Sequence, residues 1–229
     1  VTINPKPNVN ATPSAQTICS GAATSINLSS DVAGATFSWT VTPAGVTGAS
    51  AGSGTSIVQT LTRAGTTSGT VTYTITPVAS TCTGTTSDVV VTVNPIPTVT
   101  ASPVSQTICS GSITSITLSS GVAGATFSWT VSAPNISGAS NNTGSTISQT
   151  LTNTISTVST ATYTITPIAN SCSGSTINVP ITVNPTPIAT ATPSSPSICS
   201  GTATNVSLTS NVSGTTFSWT VTQSGVTGA

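Results

Sequence analysis

Thr126-Phe127-Ser128-Trp129-Thr130-Val131 and, further on, Thr160-Ala161-Thr162-Tyr163-Thr164-Ile165-Thr166-Pro167 decide how this chain folds. In both stretches apolar residues alternate with hydroxyl residues. That period of two puts Phe127, Trp129 and Val131 on one face of a strand, and Ala161, Tyr163 and Ile165 on one face of another. Thr, Val, Ile and aromatic residues also fit a pleated, half-buried surface. No helical periodicity competes with them.

Working outward, the same pattern recurs every 90 residues without insertion or deletion. Phe37, Phe127 and Phe217 keep that step, as do Trp39, Trp129 and Trp219. So do Tyr73 and Tyr163, the series Cys19, Cys109 and Cys199, and the pair Cys82 and Cys172. A unit of that size can bury a core of its own. The expected organisation is the end of a preceding repeat at 1–5, full repeats at 6–95 and 96–185, and the N-terminal part of a further repeat at 186–229. Because both ends fall inside repeats, the natural protein is expected to be longer.

Within the second repeat, the first strand is read over 98–108, bent at Pro103. Further strands are read over 113–118, 126–131, 146–152 and 160–167. Residues 132–144 form a loop with room for one short strand. A turn at 171–174 leads to a last strand with Val179, Ile181 and Val183 inward. Pro180 faces outward there, which marks an edge or a position needing no donor. Six to seven strands with turn signals every 8–12 residues predict an all-β fold of tandem Greek-key β-sandwiches. Asn94-Pro95-Ile96-Pro97 and Asn184-Pro185-Thr186-Pro187 join the repeats as stiff, extended linkers, so the units are expected to line up as a rod. Each would add about 30–40 Å at strand rise.

Charge is almost absent: Lys6, Arg63, Asp31 and Asp88 are the whole inventory, and there is no histidine. A basic nucleic-acid footprint is excluded by count. No stretch reaches the ~18 apolar residues of a membrane span. Asp31 and Asp88 do not recur between repeats, since Gly121 and Asn178 take their places, so no acid–base pair is built. The Cys spacing and the absence of His offer no zinc site, and carboxylates are too few for calcium. Lys6 is the one lysine, which removes a repeated isopeptide cross-link. No enzyme, cofactor or metal is expected. Asn-x-Ser/Thr triplets at Asn10, Asn27, Asn135, Asn141, Asn205 and Asn211 are expected by chance in so Ser/Thr-rich a chain.

Phe37, Trp39, Tyr73, Phe127, Trp129, Tyr163, Phe217 and Trp219 are expected in the cores rather than on a sugar-binding platform. Each Tyr should bury its hydroxyl on a hydrogen bond. The two cysteines per unit point to disulfides in an oxidising compartment. The preferred pairing is within units, Cys19–Cys82 and Cys109–Cys172, with Cys199 unpaired. A topological objection stands against it, unless the first strand is short and Pro103 bends the segment so that Cys109 stays near the entry pole. If the first strand spans the unit, Cys109 and Cys172 sit at opposite poles, ~25–30 Å apart. Cys19 of one unit would then meet Cys172 of the next.

Thr17-Ile18-Cys19-Ser20-Gly21, Phe37-Ser38-Trp39-Thr40-Val41, Cys82-Thr83-Gly84 and Val89-Val90-Val91-Thr92-Val93-Asn94-Pro95 together resemble the PKD-like, immunoglobulin-like repeats of large Bacteroidota surface proteins, flavobacterial gliding adhesins among them. The resemblance spans the chain. It implies type IX secretion and display on the outer surface of a Gram-negative bacterium. The acidic, glycine-rich segment that follows the Trp in many PKD domains is replaced by Thr40-Val41-Thr42-Pro43, so no calcium role carries over. The expected function is a structural stalk or filament segment that bears tension and projects a distal adhesive region. Its partners are neighbouring repeats of the same chain. The alternative is a weak, multivalent module binding glycans or surfaces by avidity.

Overall fold

The computed structural model describes residues 3–227. Val1, Thr2, Gly228 and Ala229, the outermost positions of the two partial repeats, lie outside them. The first sandwich contains β1 (Val9–Thr12), β2 (Ala15–Cys19), β3 (Ile26–Ser30), β4 (Thr36–Ala44), β5 (Gly52–Ser53), β6 (Ser56–Ile57), β7 (Gly69–Ala79), β8 (Cys82–Thr83) and β9 (Ser87–Asn94). One sheet has the order β1-β3-β6. The other runs β2-β9-β7-β4-β5, with β8 beside β7.

The second sandwich repeats the plan with β10 (Thr100–Ser102), β11 (Gln106–Cys109), β12 (Ser112–Ile113), β13 (Ile116–Ser119), β14 (Thr126–Ser132), β15 (Ile136–Ser137), β16 (Asn142–Thr143), β17 (Thr146–Ile147), β18 (Thr150–Asn153), β19 (Ser159–Ala169), β20 (Cys172–Ser173) and β21 (Ile177–Asn184). Its main sheets are β10-β13-β17 and β11-β21-β19-β14-β16. The partial third repeat adds β22 (Ala189–Thr192) paired with β23 (Ser207–Ser210). No helix occurs among the described residues.

Alternation builds each core. Along β7, Val71, Tyr73 and Ile75 are buried, while the threonines between them are half-exposed. They pack with Ile26, Phe37, Trp39, Ile57, Leu61, Val89, Val91 and Val93. The second core assembles Phe127, Trp129, Tyr163, Ile165, Ile181 and their neighbours in the same way. Each fully buried side chain of this size contributes about 1.5–3 kcal/mol by leaving water. That is why these positions barely change between repeats.

Three expected strands are broken. The 98–108 strand divides into β10 and β11, which join different sheets: β10 pairs antiparallel with β13, and β11 pairs parallel with β21. Residues 113–118 divide at Thr114, and 146–152 divide at Gln149. The buried Thr114 hydroxyl donates to the Ile147 carbonyl (3.0 Å) and accepts from the Gln149 amide (2.9 Å). A side chain thus replaces ladder bonds at the break. Strand β21 is not an edge, because it lies between β19 and β11. The β11 ladder begins at Ile181, so Pro180 sits just before it and needs no donor there.

Candidate functional site

The two-sheet split of the first strand decides where the cysteines go. In the first repeat β2 runs parallel to β9, with Cys19 opposite Asn94. The Ser20 amide then donates to the Asn94 carbonyl at 2.8 Å. Cys19 therefore stands at the pole where the chain leaves the unit. Cys172 stands at the opposite pole of its own unit. It follows a two-residue turn after β19, where Asn170 and Ser171 both take positive φ (48° and 63°) and Ala169 faces Cys172. Such turns match the right-handed twist of a hairpin.

These two poles meet between neighbouring repeats. Cys19 and Cys172 form a disulfide with Cα atoms 5.7 Å apart and a sequence separation of 153. The preferred within-unit pairs, Cys19–Cys82 and Cys109–Cys172, do not form, and Cys82, Cys109 and Cys199 are free thiols. The physical reason is the parallel β2–β9 and β11–β21 pairing, which carries each first-strand cysteine the length of its sheet, away from its own hairpin turn.

Other groups close the same junction. The Asn94 side-chain amide donates to the Asn170 carbonyl at 3.3 Å, and its Oδ1 accepts from the Ser68 hydroxyl at 2.8 Å. The linker is clamped by its own unit: a Cβ on Gly174 would lie 1.8 Å from the Pro97 carbonyl oxygen. Pro95 and Pro97 are both buried. Across the linker, a Cβ on Gly121 would come within 3.2 Å of the Thr66 methyl. Staple, linker and loop contact hold the second unit at three places.

The aromatic residues separate into two groups. Phe37, Trp39, Tyr73, Phe127, Trp129 and Tyr163 are all buried. Phe217 is half-buried and Trp219 is 78% exposed, which corrects their placement in a core. The positions equivalent to Ile57, Leu61, Val71, Tyr73 and Ile75, which cover Trp39 in the first repeat, fall beyond residue 229.

One network carries no signal in the pattern of apolar residues. The Tyr163 hydroxyl donates to Gln149 Oε1 at 2.8 Å, and Gln149 Nε2 donates to the Ser140 carbonyl at 2.8 Å. The Trp129 indole donates to that same carbonyl at 3.3 Å. Tyr73, Gln59, Ser50 and Trp39 repeat the arrangement. The invariant 90-residue step of Gln59 and Gln149 was the available clue. Burial pushes the Tyr163 hydroxyl up to about 12. Burial also raises Tyr73, against a smaller opposing hydrogen bond from Thr24.

The few charges are used locally. The Asn8 backbone and side-chain amides donate to Asp31 and hold its carboxylate below the usual range. Asp88 accepts from the Thr74 hydroxyl, 2.7 Å away. Arg63 caps carbonyls of Thr67 and Gly45, each at 2.7 Å. The arrangement can pair and position units; among the described residues it brings no acid, base and nucleophile together.

A PKD-like domain profile matches residues 16–97 and 106–187. The chain belongs to the PKD-like domain family. Among solved structures, these PKD-like repeats are similar to mouse cadherin-23 EC22-24, with 10% identity over 81% of this chain and 68% of that one, and a TM-score of 0.42. Human mucin-like protocadherin EC1-2 shares 9% identity over 78% and 98% of the two chains, with a TM-score of 0.37. The N-terminal four Ig domains of Dscam1 isoform 6.9 share 13% identity over 79% and 46%, with a TM-score of 0.34. No curated protein matches the chain. The two matched PKD-like domains stand in tandem, and the one disulfide among the described residues joins them.

Proposed function

We propose that this chain is a structural, tension-bearing segment of a repetitive cell-surface adhesin, with PKD-like units at 6–95 and 96–185 and part of another at 186–229. The observation that carries this reading is the Cys19–Cys172 disulfide, which joins one unit to the next rather than closing either one. A disulfide that only stabilised a domain would lie within it. This one fixes a joint, and the clamped Pro95–Pro97 linker fixes it further. A fixed joint is what a rod requires, and a flexible string of binding modules does not need it.

The uncharged, hydroxyl-rich surface suits a filament that projects something else. By the resemblance in its repeats, we place that filament on the outer surface of a Gram-negative bacterium after type IX secretion. Small-angle scattering of the oxidised chain tests the rod. The pair-distance profile should show two units at one fixed centre-to-centre spacing, and mild reduction should broaden it. A profile already broad in the oxidised protein would refute the fixed joint. Micromolar binding of the chain to a glycan array would overturn the passive role.

A further inference from the structure

The free thiols Cys82 and Cys109 stand where the bonded cysteines stand, one repeat away. Cys82 is the counterpart of Cys172, and Cys109 that of Cys19. The surroundings match as well as the positions. At the exit pole of the second unit, Cys109 faces Asn184 across the parallel β11–β21 pair, and the Ser110 amide donates to the Asn184 carbonyl at 2.9 Å. Those are the contacts of Cys19 and Ser20 with Asn94.

At the entry pole of the first unit, the Pro7 carbonyl oxygen lies over Gly84 as Pro97 lies over Gly174. The Cys82 thiol approaches the Asn4 carbonyl at 3.9 Å. Asn4 is the counterpart of Asn94, the residue beside the existing staple. The entry pole thus already holds the counterpart of the exit asparagine.

At the exit pole of the first unit Asn94 and Pro97 are buried. The hairpin turn that carries Cys172, from the next PKD-like unit, lies against it.

From this equivalence we propose that Cys82 and Cys109 are the two halves of further staples, each taking as partner another copy of this same PKD-like unit. Every cysteine at the end of the first strand then bonds the cysteine 153 positions later. The proposal rests on the tension-bearing reading and adds its covalent route. From Cys172 the chain runs 27 residues (199 less 172) to Cys199, through β21, the linker and β22. Those residues reach about 90–97 Å when fully extended, against about 60–80 Å for two units at strand rise. A ladder of staples joined by such segments can lengthen only by that difference, and the strands enclosed by each staple are bypassed.

Bond formation needs a disulfide oxidant such as oxidised glutathione. One cysteine thiolate displaces a glutathione thiolate and forms a mixed disulfide. The partner thiolate attacks that bond and releases the second. Two protein thiols are oxidised and one glutathione disulfide is reduced to two thiols.

The test is a chain in which residues 96–185 are inserted once more after residue 185, oxidised in a glutathione buffer and mapped without reduction. Cys109 should lose its reactivity to alkylation and appear bonded to the hairpin cysteine of the inserted unit, while Cys82 stays reactive. In the unextended chain both should alkylate in the folded state, with Cys19 and Cys172 protected. The Cys19–Cys172 bond serves as the internal control for folding. Cys109 still reactive beside an intact Cys19–Cys172 bond would overturn the proposal. So would Cys109 bonded to any other cysteine. Neither result would alter the scattering test of the rod.

Discussion

Pulling the chain from its two ends is the sharpest test of the staple. With Cys19–Cys172 intact, force passes from Cys19 directly to Cys172, and the intervening chain carries none of it. The sequence separation is 153 residues. At ~3.3–3.6 Å per extended residue, about 500–550 Å of contour is locked behind one S–S bond. Strands β3 to β9 and β10 to β19 all lie inside that loop. Only β1, β2, the region from β20 onward and the third repeat can be peeled. The perturbation is Cys19→Ser, with Cys82→Ser as a control because Cys82 is free. In single-molecule force spectroscopy the wild-type chain should extend to roughly 250–270 Å, from the 75 residues outside the loop. Cys19→Ser should add the missing ~500 Å, released as two further unfolding steps, one per core. In the chain-entropy view, closing a loop of this length also removes about 5 kcal/mol of denatured-state freedom. Equal final lengths for wild type and Cys19→Ser would refute the bypass, and lengthening by Cys82→Ser would assign the staple to the wrong residue.

Three further outcomes follow from the geometry. Gly174→Ala drives a methyl into the Pro97 carbonyl, so the second unit should lose about 1–3 kcal/mol, measured by denaturant titration, as overpacking typically costs. Tyr163→Phe leaves Gln149 Oε1 without its hydroxyl donor and should cost about 1 kcal/mol, whereas no loss would remove the network from the stability of the core. Alkali is expected to destabilise the fold with a definite sign. The folded Tyr163 holds its proton up to about 12, above the ~10 of an unfolded tyrosine. Its contribution is therefore complete below pH ~10 and lost as pH rises toward 12, so phenolate absorbance should lag behind a model tyrosine until unfolding releases it.

The 90-residue step, the alternation along residues 160–167 and the scarcity of charge are local or additive properties. They are therefore legible in the chain itself. Strand parity placed Trp129 and Tyr163 indoors because a strand has only two faces. The breaks at Thr114 and Gln149 were less visible, since a hydroxyl or amide that replaces ladder bonds looks like any other polar residue until its partner is opposite it.

The cysteines mark the boundary most clearly. The sequence by itself determined that there are two per unit, at fixed steps, in a chain built of β-sandwich repeats. It left two pairings open, because both satisfy the spacing. Only the tertiary structure decided between them. Once the first strand crosses to run parallel with the last, Cys19 is carried to the far pole of its unit. A disulfide spans only 4.4–6.8 Å between Cα atoms, so the cysteine within reach belongs to the next repeat.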